Sequence, residues 1–251
     1  MRYPAAVLLT LLALLSAAPA RVAAPKTSAR LVVPKALREQ REQEATNPDH
    51  EPLPLFANPS LAAALGPLVP QLGAWAEYLV QTRGQDDVRV RAAVLGPPLD
   101  QGRYWLELTT VSESRTAASA RLLVHGSVFR PRDVERIFLM LAGQQPMEIP
   151  LDDLPGGGEG SDKEPPPAPK LERLGKSQVK VRAGLFQAEA LRVGDTRVWR
   201  SPAVPLWGLV RAQSPRQTLE LLSSGLAGGH TLFPAGWGDA SDQGNGKESV
   251  K

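Results

Sequence analysis

Short runs in which apolar and polar residues alternate, separated by turn signals, are the feature that most constrains the fold of this 251-residue chain. A period of two is typical of β-strands with one buried face. The first four runs are joined by short connections, whereas a parallel pair of strands needs a crossover of about a dozen residues or more. The pattern therefore predicts antiparallel neighbours. The predicted strands are Trp75–Val80, Val88–Leu95, Tyr104–Val111, Ala118–His125, Val179–Arg182, Phe186–Val193, Thr196–Trp199, Leu206–Ala212 and Thr218–Leu222.

One segment between these runs has the spacing of a helix. Its apolar residues fall at i, i+3, i+4 and i+7, with Pro131 before them and Gly143 after them as start and stop signals. The spacing predicts a helix over 131–143 that packs on one face of the sheet. The four residues are Val134, Ile137, Phe138 and Leu141. A shorter helix or turn is expected where Leu61–Leu65 follows Asn58.

The expected fold class is mainly β (α+β), a strongly curved antiparallel sheet or half-open barrel with one packed helix. Each half of the chain offers only about four strands, and one helix would serve both, so we expect a single domain over residues 58–235. Three segments are polar or rich in proline and glycine, and they have too little apolar surface to bury on folding. They predict a flexible leader over 21–57, a disordered linker near 152–170 and a disordered tail over 236–251.

The N-terminus predicts export. Arg2 precedes the apolar run Ala5–Leu15 and the small residues Ala18-Pro19-Ala20, which is the pattern of a cleaved signal peptide over residues 1–20. Cleavage could instead follow Ala24. No later apolar run reaches the ~20 residues of a membrane-spanning helix. The chain has no cysteine, which excludes a disulfide framework and a lipid-modified cysteine. We expect a periplasmic protein that is not a lipoprotein.

Composition and motifs argue against several functions. The net charge is +3, with basic and acidic residues interspersed, which does not predict a nucleic-acid partner. His50, His125 and His230 lack metal-ligand spacing, so we expect no metal site. No cofactor motif or catalytic constellation is present, and the chain is not expected to be an enzyme. Glu77 and Glu107 lie within predicted strands, where alternation places either of them on the solvated face.

A proline-bounded corner separates two tryptophans. Pro202 and Pro205 cannot donate hydrogen bonds to a strand ladder, so residues 201–205 must leave the sheet between Trp199 and Trp207. The two indoles could fill the core, or they could gate a ligand site.

Several segments resemble periplasmic proteins of the LolA/LolB-like superfamily. The similar stretches are Gly184–Ala188, Val198–Val210 with its W-x-S-x-x-V-P pattern, Leu219–Gly225, Ala74–Tyr78, and Arg136–Met140 with Gly143 and Pro146. The resemblance covers roughly residues 73–225. It implies a half-open antiparallel barrel closed on one side by a helix, with a cavity that carries lipid acyl chains in the best-known members.

The sequence thus favours a non-enzymatic periplasmic protein that binds a lipid or other amphiphile in the concave face of its sheet, without a cofactor. The partners would be a lipid or the acyl chains of a lipoprotein. The alternative is a structural or protein-interaction module of the cell envelope, with a filled barrel and an envelope protein as partner. The residues expected to line the cavity or its corner are Trp75, Trp105, Phe138, Phe186, Trp199 and Trp207.

Overall fold

The computed structural model describes residues 59–65, 68–96, 102–112, 118–126, 128, 133–151, 170–234 and 237. The predicted signal peptide and leader, residues 152–169 of the predicted linker, and residues 236 and 238–251 of the predicted tail lie outside this range. The described residues form one short helix and eleven strands: α1 (Pro59–Ala64), β1 (Trp75–Thr82), β2 (Val88–Leu95), β3 (Arg103–Ser112), β4 (Ala118–His125), β5 (Val134–Leu141), β6 (Met147–Glu148), β7 (Leu171–Val181), β8 (Gly184–Val193), β9 (Thr196–Arg200), β10 (Leu209–Gln213) and β11 (Gln217–Gly225).

All eleven strands belong to one open antiparallel sheet, in the order β6-β5-β4-β3-β2-β1-β11-β10-β9-β8-β7. The chain starts in the middle at β1 and runs outwards to β6. It then re-enters at the opposite edge with β7 and returns inwards to β11, which pairs with β1. The mainly β, antiparallel fold class expected from the sequence is confirmed.

Alternation and turn chemistry account for most of the strands. Strand β2 lies between β1 and β3. Its inward-facing Val90 and Ala92 are buried, whereas Arg89 is exposed. Gly84 has φ +81° in the turn between β1 and β2. Gly194 has φ +56° in the two-residue turn between β8 and β9, a conformation that glycine adopts at little cost.

The helix predicted over 131–143 is wrong, because Val134–Leu141 forms strand β5. Its residues pair along β4, for example Ala120 with Leu139 and Leu122 with Ile137. Both faces of β5 are covered, so its apolar residues run almost continuously from 137 to 141. A short apolar run of this kind fits a buried strand and a helix equally well by periodicity, and the neighbouring strand decides between them.

Three further strands differ from expectation. β6 has only two residues, too few to give a periodic signal. β7 starts at Leu171, eight residues before the predicted strand, and residues 171–178 are exposed. β10 starts at Leu209 instead of Leu206, because Leu206 belongs to the corner and makes an isolated bridge with Val69.

The sheet is strongly curved at its β7–β11 end. Strands β8 and β11 are separated by β9 and β10, which in a flat sheet would place them about 14 Å apart. Yet in the turn between β7 and β8 the backbone N–H of Ala183 donates to the carbonyl oxygen of Leu221, at 3.2 Å. The N–H of Arg182 donates to the Glu220 carboxylate at 2.7 Å. The hairpin therefore bends back towards β11.

The inner face of the curved sheet carries the main core. Tyr78, Leu106, Leu122 and Ile137 are fully buried there. Helix α1 contributes Leu61 and packs against β8 and β9. No described helix is long and apolar enough to cross a membrane.

Two tyrosines of the main core have perturbed pKa values. Burial raises the pKa of Tyr78 above its ordinary value of about 10. Burial, together with the negative charge of Asp133, raises the pKa of Tyr104 to about 12. The Tyr104 hydroxyl donates to the carbonyl oxygen of Gly126 at 3.1 Å. Both side chains are therefore neutral at physiological pH.

A second, smaller core lies on the outer face of β3, β4 and β5. It contains Trp105, Leu123 and Phe138, covered by Phe233 from the segment that follows β11. We call the described residues of that segment, 227–234 and 237, the strap.

Candidate functional site

A groove opens where the chain leaves the sheet, between the end of β9 and the start of β10. Its volume is about 990 Å³, at the upper end of the range typical of small-molecule sites. Three parts of the chain form its walls: the corner over 201–208, residues of the β7–β8 hairpin, and residues between 69 and 74. Leu226, just after β11, completes the rim.

The corner is held by its own backbone hydrogen bonds. The N–H of Ser201 donates to the carbonyl oxygen of Gly208 at 2.7 Å, and the N–H of Val204 donates to that of Ser201 at 3.2 Å. Gly208 has φ +72°, and a Cβ there would lie 3.0 Å from the Ser201 carbonyl oxygen. Leu206 is the one non-glycine residue in the described part of the chain with positive φ, at +65°. Such a conformation costs roughly 1–3 kcal/mol and persists only where its surroundings fix it.

The apolar wall of the groove comes mainly from this corner. Val204, Leu206 and Trp207 are buried, with their side chains in the main core. Around the mouth, Leu185, Val69 and Leu226 leave 62%, 68% and 59% of their surface exposed. Three large aliphatic side chains around one opening form an apolar rim that a bound apolar group would cover.

Charged side chains also line the groove. Lys176, Glu189 and Arg200 are direct neighbours across β7, β8 and β9. Arg200 Nη2 lies 3.3 Å from Glu189 Oε2, and Arg173 Nε lies 3.7 Å from Glu189 Oε1. The cations Lys176 and Arg200 thus lie beside the single carboxylate of Glu189, and Arg173 is a third cation close to it. The row has a net positive charge and could hold an anionic group.

The structure brings together only part of the predicted set. Phe186 and Trp207 line the groove. Trp199, at the other end of the corner, is half-buried and lies under the Arg211 guanidinium, which is 5.8 Å from the ring. The indole of Trp199 does not line the groove.

The remaining three predicted residues lie on the outer face. The rings of Trp105 and Phe138 are 5.9 Å apart within the smaller core. Trp75 is half-buried beneath Arg91, and its indole N–H donates to the carbonyl oxygen of Ala227 at 3.1 Å. These three side chains therefore cannot share a cavity with Trp207.

Sequence reasoning missed most of the groove rim. Leu185 lies next to a predicted strand, but Val69 and Leu226 carry no local signal and reach the groove only through the fold. Lys176 and Arg200 lie just outside the predicted strands Val179–Arg182 and Thr196–Trp199, and no motif distinguishes them in the sequence. Their alignment with Glu189 depends on the pairing of β7, β8 and β9.

Few titratable side chains line the groove. It contains one carboxylate, Glu189, which is paired with Arg200, and no histidine. Across the described part of the chain, no group of three or more His, Cys, Asp or Glu side chains could hold a metal ion. The arrangement suits non-covalent binding of a molecule with an apolar body and an anionic end.

Comparison with known proteins gives distant structural similarity only. No family model matches the chain. No curated protein matches it either. A candidate exported protein with a YmcC-like fold from Bacteroides fragilis NCTC 9343 is 10% identical, with a TM-score of 0.35 over 64% of this chain and 99% of that chain. A candidate lipoprotein from Parabacteroides distasonis ATCC 8503 is 11% identical, with a TM-score of 0.32 over 63% and 97%. MucB, in its complex with MucA(peri), is 10% identical, with a TM-score of 0.34 over 69% and 56%. At these values none of the three assigns a family or a function to this chain.

Proposed function

We propose that this chain is a non-enzymatic exported protein that binds a lipid or another amphiphile in the groove beside the 201–208 corner. The observation that carries the proposal is the groove itself. It combines a buried apolar wall, an exposed aliphatic rim and a cationic row within one cavity of about 990 Å³. An amphiphile needs apolar walls for its chain and a few polar groups near the mouth for its head. Export rests on the signal-peptide pattern at the N-terminus.

The proposal predicts that Leu185→Asp weakens amphiphile binding while leaving the fold intact. Leu185 is 62% exposed at the rim, so a carboxylate there stays hydrated in the free protein but opposes an apolar chain. Titration of a fluorescent anionic amphiphile, 11-(dansylamino)undecanoic acid, measures the effect. We expect micromolar binding to the natural chain and an affinity at least about tenfold weaker for the variant, in line with the loss of one buried aliphatic contact.

Leu171→Asp is the matched control, because Leu171 is an exposed leucine of the same hairpin that does not line the groove. Its affinity should equal that of the natural chain. Equal affinities for all three proteins would place the binding elsewhere, and no binding by the natural chain would remove the proposal.

A protein-interaction module of the envelope is a second candidate function, favoured by edge strand β7. Residues 171–178 of this strand are exposed, pair only with β8 among the described strands, and include the exposed Leu171 and Leu174. An exposed edge with apolar side chains can accept a strand from another protein. This function requires no ligand in the groove, and failure of the natural chain to bind the dansyl amphiphile would favour it.

A further inference from the structure

The strap crosses the outer face of the sheet and is held there through both its backbone and its side chains. Near its start, the N–H of Gly229 donates to the carbonyl oxygen of Gly73 at 2.9 Å. Next, His230 lies against the Arg91 guanidinium, with Nη1 and Nε2 2.7 Å apart. The strap is not a strand of the sheet, so several of its backbone polar groups bond to side chains of the outer face instead of to a strand ladder.

Glu107 is the central anchor for the strap. This β3 side chain, expected from the sequence on a solvated face, is only 3% exposed. One carboxylate oxygen accepts from the Leu232 N–H at 3.0 Å, and the other accepts from the Thr231 hydroxyl. The same hydroxyl accepts from the Phe233 N–H at 3.0 Å. One buried carboxylate thus fixes three consecutive residues of the strap.

An aromatic pocket follows immediately. Phe233 is buried against Trp105, Leu123 and Phe138. Beyond it, the ring of Trp237 meets Phe138 edge-on, with centroids 5.9 Å apart. Aromatic contacts of this kind contribute about 0.5–1.5 kcal/mol beyond the area that they bury.

Arg121 anchors the far end. It is buried on β4 directly opposite Glu107, donates to the carbonyl oxygen of Trp237, and lies 5.0 Å from the Trp105 ring. The outer face therefore presents a carboxylate that accepts from a backbone N–H, a guanidinium that donates to a backbone carbonyl group, and an aromatic pocket between them. Hydrogen bonds to the main chain and a pocket for a side chain are the means by which extended peptides are recognised.

We propose that this outer face is a peptide-recognition site that the strap occupies as an intramolecular ligand. The partner that displaces the strap is an extended peptide with a hydroxyl side chain two residues before an aromatic one. This site is separate from the groove. The strap has the features of such a peptide, because the side chains of Thr231 and Phe233 contact the sheet while Leu232 between them is 47% exposed.

Two observations favour exchange of the strap over a purely structural role. Glu107 and Arg121 lie on the outer face, so departure of the strap would hydrate them instead of leaving charges in a dry core. In addition, the indole N–H of Trp105 is buried without an acceptor among the described residues. An unmade buried hydrogen bond costs about 1–3 kcal/mol, which a peptide with an acceptor at this position would recover.

A labelled peptide of the strap sequence, GHTLFPAGW, tests the proposal by fluorescence polarisation with the full chain. In the natural chain the attached strap competes at an effective concentration of about millimolar, so added peptide should bind weakly. Phe233→Ala empties the aromatic pocket and should bind the peptide at least about tenfold more tightly than the natural chain. The same peptide with alanine in place of its phenylalanine should bind neither protein.

Leu232→Ala is the matched control, since it removes an exposed leucine from the same strap and should behave as the natural chain. Thr231→Val provides a second release variant that removes the hydroxyl bound by Glu107 and should also increase peptide binding. Failure of both release variants to bind the peptide, with their folded far-ultraviolet spectra intact, would overturn the proposal. A natural chain that is dimeric and dissociates with excess peptide would also overturn it, because the occupant would then be the strap of a second copy.

Discussion

Replacing Leu139 by alanine is expected to lower the free energy of unfolding by about 2–4 kcal/mol, the usual cost of emptying a buried leucine site. Leu139 is 6% exposed and pairs with Ala120 on β4 and with Met147 on β6. The apolar stripe of the helix expected from the sequence would instead leave this side chain outside. Urea unfolding followed by tryptophan fluorescence measures the change.

Leu141→Ala is the comparison that separates the two interpretations of this segment. In strand β5, Leu141 is only half-buried at the end of the strand, so its loss should cost about 1 kcal/mol. In the helix, Leu141 would belong to the buried stripe and Leu139 would not. A larger loss for Leu141→Ala than for Leu139→Ala would contradict the strand.

Replacing Glu107 by alanine is expected to release the strap. The substitution removes two hydrogen bonds to a charged group, each worth about 1.5–3 kcal/mol, although water will satisfy part of what is lost. We expect a net loss of about 2 kcal/mol in the free energy that holds the strap in place. Amide hydrogen exchange at Leu232 should accelerate by about 30-fold, the factor that corresponds to this energy.

Glu77→Ala is the matched control for this variant. Glu77 is a half-buried carboxylate on the same outer face, and its contact is a long hydrogen bond of 3.4 Å from the Ser223 hydroxyl. Exchange at Leu232 should be unchanged in this protein. Unchanged exchange in Glu107→Ala as well would mean that the carboxylate does not hold the strap.

Local pattern was sufficient for most strands. The predicted bounds of β2 and β4 are those observed, because turn-forming residues flank both runs in the sequence. The turn at Gly194 has a local cause as well. By contrast, β5 could not be distinguished from a helix, because its apolar residues cover both faces. What settles its conformation is the pairing with β4 and the strap on its outer side, and both are contacts between distant parts of the chain.

At the candidate site, too, some residues could be predicted from the sequence and others could not. The prolines and the tryptophan of the corner could be predicted, and Trp207 lies where it lines the groove. Trp105 and Phe138 are buried as expected of large aromatic residues, but on the outer face. A shift of one residue reverses the side of every residue in a strand, so sequence alone could not place them. Glu107 escaped notice because a carboxylate in an amphipathic strand is usually solvated, and its burial depends on the strap, more than 120 positions later.

Native mass spectrometry of the protein purified gently from cell envelopes tests the central claim most directly, namely that the groove beside the 201–208 corner holds an amphiphile. The account predicts a fraction of molecules with a bound lipid, and loss of that adduct in Leu185→Asp but not in Leu171→Asp. A protein that is always recovered empty, and that gains no thermal stability from added lipid, would contradict it.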